Sequence, residues 1–273
     1  MDGDVVDVGE ALASSDTALS TQADVTHEVV ALHSLYERDR ATGSPERIRT
    51  NLDFSPYRSS ILRHPTKGAL LIDPDAIELH SPTFGHRDVA AVESDLTAQH
   101  GGEPLGERIV VTGRILTESG HPVTGQLVEI WQANAGGRYV HKKDRHPAPL
   151  DPHFTGVGRC ITSDDGWYRF TTIKPGAYPW RNHVNAWRPA HIHFSLFGTA
   201  FTQRVVTQMY FPGDPLFPLD PIFNSIVDPR ARARLVARFD HSVTEQDWAL
   251  GYRWDVVLTG AESTWTEPEE AEH

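Results

Sequence analysis

The amino-acid sequence predicts a mainly β protein, an antiparallel β-sandwich core with long wrapping loops, on three observations. Short runs rich in Val, Ile, Tyr, Phe and Trp suit half-buried, pleated strands. Gly, Pro, Asp and Asn separate those runs. Helical spacing of apolar residues is confined to two short stretches, and 39% hydrophobic residues with seven Trp supply a core for a 273-residue chain.

Residues 1–23 are too poor in apolar side chains to offset the entropy of ordering, which predicts a disordered acidic tail. Val25, Val29, Leu32 and Tyr36 recur near helical spacing behind Asp24, so an N-terminal helix is expected over 24–36. Pro56, Pro65, Pro74, Pro82 and Pro104 interrupt the stretch 55–106, which predicts extended segments and loops wrapped on the core. Strands are predicted at 108–116, 126–132, 167–173, 191–197, 204–211 and 252–258. Glu118-Ser119-Gly120 and Asp164-Asp165-Gly166 each place a Gly where a hairpin needs positive φ. One short helix is expected near 229–239, opened by Asp228-Pro229, with Leu235, Val236 and Phe239 on its inner side. The resulting organisation is one domain over 24–260, including the N-terminal arm, and a second acidic tail over 261–273.

Composition excludes several function classes. The net charge is −12, but residues 1–24 carry six acids and 262–273 five, with no Lys or Arg in either, leaving about −1 for the rest. The dense basic run His141 to His146 is short and broken by Asp144, so a nucleic-acid partner is not expected. Cys160 is the single cysteine and allows no intrachain disulfide. With no run of 18 apolar residues and no signal-like N-terminus, a cytoplasmic protein without membrane contact is expected.

The sharpest chemical feature is His191-Ile192-His193 within a predicted strand. Residues two apart on a strand share a face, so both imidazoles reach one point, while Ile192, Phe194 and Leu196 form an apolar row on the other side. Alone, this pattern fits a metal or two ordinary histidines. Tyr139, in AGGRY, and Tyr178, in KPGAYPWRN, sit on Gly-rich or Pro-rich loops that can aim a side chain. Two phenolates and two imidazoles suit a hard, highly charged ion such as Fe(III), and with one hydroxide the site is neutral, which favours burial. No acid lies between Phe194 and Arg204, against a cupin-like or facial-triad centre. A metal-free β-sandwich that binds a partner through its aromatics remains the alternative from another class.

The segments YRSSILRHP, GERIVVTGRI, VEIWQANAGGRYVHKKDRHPAPLDPHFTGVGRC, TIKPGAYPWRN, NAWRPAHIHFS and QMYFPGDPLFPLDPIFN together resemble the intradiol ring-cleaving dioxygenases, over roughly residues 57–258. The likeness is to the iron-bearing β type of their αβ members. The segment before Tyr57 and both acidic tails depart from the family pattern. The resemblance implies a non-haem Fe(III) enzyme with Tyr139, Tyr178, His191 and His193 as protein ligands and a solvent hydroxide beside them. It implies that Arg188 and Gln208 form a polar pair next to the substrate ring, that Tyr57 meets a substrate carboxylate, and that Trp180 and Ile222 wall the pocket. Each of these five also has an ordinary reading as packing or surface side chain.

The implied reaction uses O2 to open the ring of a small catechol, protocatechuate, to 3-carboxy-cis,cis-muconate in aromatic catabolism. Tyr178 then serves as ligand and base in turn. Catechol or hydroxyquinol are the alternative substrates, and an α subunit is the implied partner.

Overall fold

Runs of β-branched and aromatic residues form eleven strands among the described residues of the computed structural model, which are 88–117, 119–181, 184–197 and 204–258. The expected N-terminal helix, both acidic tails and Tyr57 lie outside those residues. In chain order the strands are β1 (Arg108–Leu116), β2 (Leu127–Gln132), β3 (Val157–Ile161), β4 (Trp167–Ile173), β5 (Tyr178–Pro179), β6 (Trp187–Arg188), β7 (His191–Phe197), β8 (Arg204–Tyr210), β9 (Arg238–Phe239), β10 (Leu250–Arg253) and β11 (Val256–Val257). Two short helices, α1 (Pro221–Ser225) and α2 (Pro229–Arg234), follow β8.

The strands form two main sheets. In one, β1 is central: β4 runs antiparallel along one edge, and β10 and then β11 run parallel along the other, with β9 outside β10. The second is antiparallel throughout, in the order β3-β2-β7-β8. The inner faces meet through aromatic side chains. Phe194 of β7 packs edge-on against Tyr168 of β4 at 5.5 Å between ring centroids and against Trp254 at 4.8 Å. Ile109, Val111, Ile115 and Phe170 from one sheet and Val128, Ile130, Ile192 and Met209 from the other complete this core. The predicted sandwich is therefore the observed architecture.

Where details differ, backbone contacts explain them. The strand expected over 252–258 is two pieces, because the chain lifts at Trp254 and crosses from pairing with one half of β1 to the other. Gly113 makes that crossing possible: a Cβ there would stand 1.7 Å from the Trp254 carbonyl oxygen. The helix expected near 229–239 stops at Arg234. The Leu235 carbonyl accepts from Tyr210 N–H at 2.8 Å, and Ala237 N–H donates back to Tyr210 at 2.8 Å, so β8 captures the backbone that would continue the helix. Phe239 is consequently 40% exposed on β9 instead of lying on a helix's inner face, whereas Leu235 is buried as expected. Gly120 and Gly166 both adopt positive φ. Gly120 closes a tight hairpin turn as expected, with Leu116 bridging Pro122 antiparallel and Val123 N–H donating to the Ile115 carbonyl at 2.9 Å, whereas the turn at Gly166 carries the chain from β3 in one sheet to β4 in the other. Among the described residues no helix is long and apolar enough to cross a membrane.

Candidate metal centre

Cross-strand register, more than proximity in sequence, assembles the site. On β7, His191 stands opposite Tyr210 of β8, and His193 stands opposite Gln208 of β8 and Trp131 of β2. All five side chains therefore share the face away from the Ile192, Phe194 and Leu196 row. Beside them the small ladder of β5 and β6 places Tyr178 directly opposite Arg188.

Tyr139 arrives on the loop after β2, which Asn134 organises. Its side-chain oxygen accepts the Gly136 and Arg138 N–H groups at 3.0 Å each, and its carbonyl accepts from Gly137 and Gly176 at 2.9 Å. Two glycines let this loop touch the one bearing Tyr178. Gly137 has φ 79° and a Cβ there would lie 2.5 Å from the Ala177 oxygen, while a Cβ on Gly176 would lie 2.3 Å from the Ala135 oxygen. Asp144 then fixes Tyr139 by accepting its backbone N–H at 2.8 Å.

The four side chains expected as ligands converge. Ring centroids are 4.9 Å apart for His191 and His193, 5.6 Å for Tyr139 and Tyr178, 5.7 Å for Tyr178 and His191, and 6.2 Å for Tyr139 and His193. The Tyr139 hydroxyl lies 3.3 Å from His191 Nε2. His191 Nδ1 lies 2.6 Å from the Pro189 carbonyl, which only accepts, so Nδ1 carries the proton and Nε2 keeps its lone pair. Trp131 stacks on His193 at 4.7 Å with planes 3° apart, and His193 Nδ1 is buried with no hydrogen-bond partner among the described residues.

Electrostatics favour neutral side chains here. Burial raises the Tyr139 hydroxyl well above its ordinary range, with Tyr178 adding to the effect. Burial also raises Tyr178, though Arg188 works against it. Burial and the Arg188 cation hold His191 well below the usual histidine range and push His193 down to about 3. Four neutral groups that bear lone pairs and whose rings converge, one imidazole nitrogen without a partner, and phenols held protonated chiefly by burial fit a highly charged cation. Among the described residues no three His, Cys, Asp or Glu side chains converge as a metal site, so two tyrosines are needed to complete this one.

Around the four lies a buried polar cluster. Arg188 Nη2 donates to Gln208 Oε1 and, at 3.2 Å, to the Tyr210 hydroxyl, and Arg188 Nε contacts the Asp220 carboxylate at 3.3 Å. Burial alone would lower Arg188, but Asp220 and the surrounding phenols outweigh it and the guanidinium stays charged. The Trp180 ring lies 5.6 Å from the Arg188 guanidinium carbon, and Ile222 is buried on α1. Sequence reasoning thus named Arg188, Gln208, Trp180 and Ile222 but missed Trp131, Asn134, Tyr210 and Asp220. Asp220-Pro221 carries the same helix-start signature as Asp228-Pro229, and Asn134 opens a glycine-rich turn, so both had a readable signal. Tyr210 and Trp131 read as ordinary strand aromatics.

A cleft of about 570 Å³ lies elsewhere, between the turn at Ala91–Ser94 and β3. None of the four side chains lines it, its Arg159 is paired with Glu93, and its Cys160 is a buried thiol.

Comparison with known proteins identifies the family. Residues 79–260 match the model of the family described as Dioxygenase. A protocatechuate 3,4-dioxygenase beta chain from Burkholderia cepacia is 58% identical over 210 residues, 76% of this chain and 89% of that protein. A protocatechuate 3,4-dioxygenase alpha chain from Pseudomonas putida is 30% identical over 58% of this chain and 75% of its own length. Among solved structures, the 3-chlorocatechol 1,2-dioxygenase of Rhodococcus opacus 1CP aligns at a TM-score of 0.48 and 18% identity, over 85% of this chain and 88% of that one.

Proposed function

We propose, from the premise that this chain belongs to the intradiol ring-cleavage dioxygenase family, that it is the iron-bearing β subunit of a protocatechuate 3,4-dioxygenase. The observation that carries the reading is the convergence of Tyr139, Tyr178, His191 and His193 beside the buried Arg188 and Gln208 pair. The reaction joins both atoms of O2 to protocatechuate and breaks the bond between its two hydroxyl-bearing carbons, giving 3-carboxy-cis,cis-muconate. The level of identity to a beta chain supports this substrate and an α subunit as partner, and the second relative is an alpha chain.

Fe(III) held by the two tyrosines and two histidines would supply Lewis acidity for a catechol dianion and draw electron density from its ring towards oxygen. Each protein group then has a task that its surroundings explain. His191 presents Nε2 because the Pro189 carbonyl holds Nδ1–H, and stacking on Trp131 fixes the plane of His193. Tyr178, as the phenolate that ferric iron would hold, would accept a substrate proton at its phenolic oxygen, and burial favours the neutral phenol that results. Arg188 is a buried cation beside the ring that acquires negative charge, an electrostatic role worth about 10²–10³ in kcat for a well-aimed donor. Gln208 holds the guanidinium, and Trp180 and Ile222 are pocket walls that exclude water. Tyr57 is proposed to meet the substrate carboxylate.

Steady-state rates with protocatechuate and catechol, measured side by side on the protein produced together with an α chain, test the substrate. Higher kcat/KM with protocatechuate supports the reading. Equal or higher kcat/KM with catechol contradicts it.

A further inference from the structure

Asp220 is 0% exposed, at the junction of the turn Phe217–Leu219 and α1. A carboxylate in a dry interior persists where charge and donors surround it, and here both oxygens are used. Oδ2 accepts from Arg188 Nε at 3.3 Å and from the Tyr210 hydroxyl at 3.1 Å. Oδ1 accepts the Ile222 backbone N–H at 2.8 Å and so caps α1. Capping alone needs neither full burial nor a charge, because Ser, Thr and Asn cap as well. The ion pair is therefore a second task.

Arg188 shows what that task is. Its Nε is held by Asp220 and its Nη2 by Gln208 and Tyr210, which clamps one edge of a planar group. Nη1, at the other edge, has no hydrogen-bond partner among the described residues. The clamp thus fixes the direction of the one guanidinium nitrogen left to meet substrate charge. The pair is also neutral, so a cation can stand next to a metal-binding cluster without adding net charge to it.

We propose that Asp220 is a positioning residue: it orients the Arg188 guanidinium and, through its cap on α1, sets that guanidinium in register with the pocket wall at Ile222. The proposal rests on the functional reading above, because it assigns Asp220 a task in that reaction. Asp220 touches no reacting atom and acts through Arg188.

Asp220→Asn tests this, because the amide keeps the shape and the cap acceptor and loses the charge. In the iron-loaded protein the expected result is wild-type iron content, an unchanged visible phenolate band, and a kcat for protocatechuate lower by roughly 10- to 100-fold with a smaller change in KM. In an Arg188→Gln background the same substitution should leave kcat within about threefold, since its partner is already gone. Wild-type kcat in Asp220→Asn, loss of its iron, or an equal penalty in both backgrounds overturns the proposal. Should Asp220→Asn not accumulate as folded protein, the double variant, which buries no unpaired charge, is compared with Arg188→Gln alone. Equal kcat supports the positioning role, and a lower kcat in the double variant overturns it. A wild-type protein without the phenolate band overturns the iron reading itself, and the proposal with it.

Discussion

Two phenols and two imidazoles that are neutral when nothing binds them define the site at the residue scale. Burial disfavours every charged form of Tyr139, Tyr178, His191 and His193, so ionised tyrosines there require a cation to pair with. His191→Ala should purify without iron, because it removes the lone pair that Pro189 orients. Tyr178→Phe should keep iron but slow substrate binding by on the order of 100-fold, the usual contribution of a positioned base. Metal analysis and stopped-flow mixing under anaerobic conditions separate the two. Cys160 gives an independent check on the interior. Burial pushes its thiol up to about 12, so it holds its proton at neutral pH. Native protein should resist iodoacetamide at pH 8, and unfolded protein should react.

The pairing of His191 with His193 was legible because strand alternation is a local rule. Convergence of Tyr139 and Tyr178 upon them was not, since it depends on Gly137 and Gly176 allowing two distant loops to touch. The resemblance to a family bridged that gap. Tyr210 and Asp220 stayed hidden because their significance lies in register and burial, which neither residue type announces.

At the scale of elements, β1, β4 and β7 end where β-forming residues and turn residues place them, while β3 was overlooked. Its sequence, VGRCI, contains Gly158 and Arg159, poor strand formers by composition. In the structure Gly158 makes room for Leu96, since a Cβ would lie 2.5 Å from that side chain, and Arg159 pairs with Glu93 at 2.5 Å. This ion pair fastens the turn Ala91–Ser94 to β3 and holds the Glu93 carboxyl below its ordinary value, chiefly through the Arg159 hydrogen bond. A depressed carboxylate adds stability above the pKa of the unfolded chain, and that stability is lost as pH falls through the folded value. Glu93→Gln should therefore lower stability at pH 7 by under about 1 kcal/mol, with a smaller difference at about pH 3. Paired urea titrations at the two pH values check both magnitude and direction.

For the whole molecule, the account rests on two sheets joined by an aromatic core that holds β7 in place. Phe194 meets Tyr168, Phe170 and Trp254 across the sandwich while its neighbours His191 and His193 face the site. Phe194→Ala should cost about 3–5 kcal/mol in unfolding free energy and loosen the metal site together with the core. Fold class was readable at this scale because strand runs and turn residues recur along the chain. The path from one sheet to the other was not, because Gly166 has the φ of a hairpin turn and yet links β3 and β4, which lie in different sheets.

The central claim is that two tyrosinates bind ferric iron in this cluster. Visible absorption of the purified, iron-loaded protein tests it most directly. The account predicts a broad phenolate-to-iron band, red-brown to the eye, that shifts when protocatechuate is added without oxygen. An iron-loaded protein with no such band would contradict it.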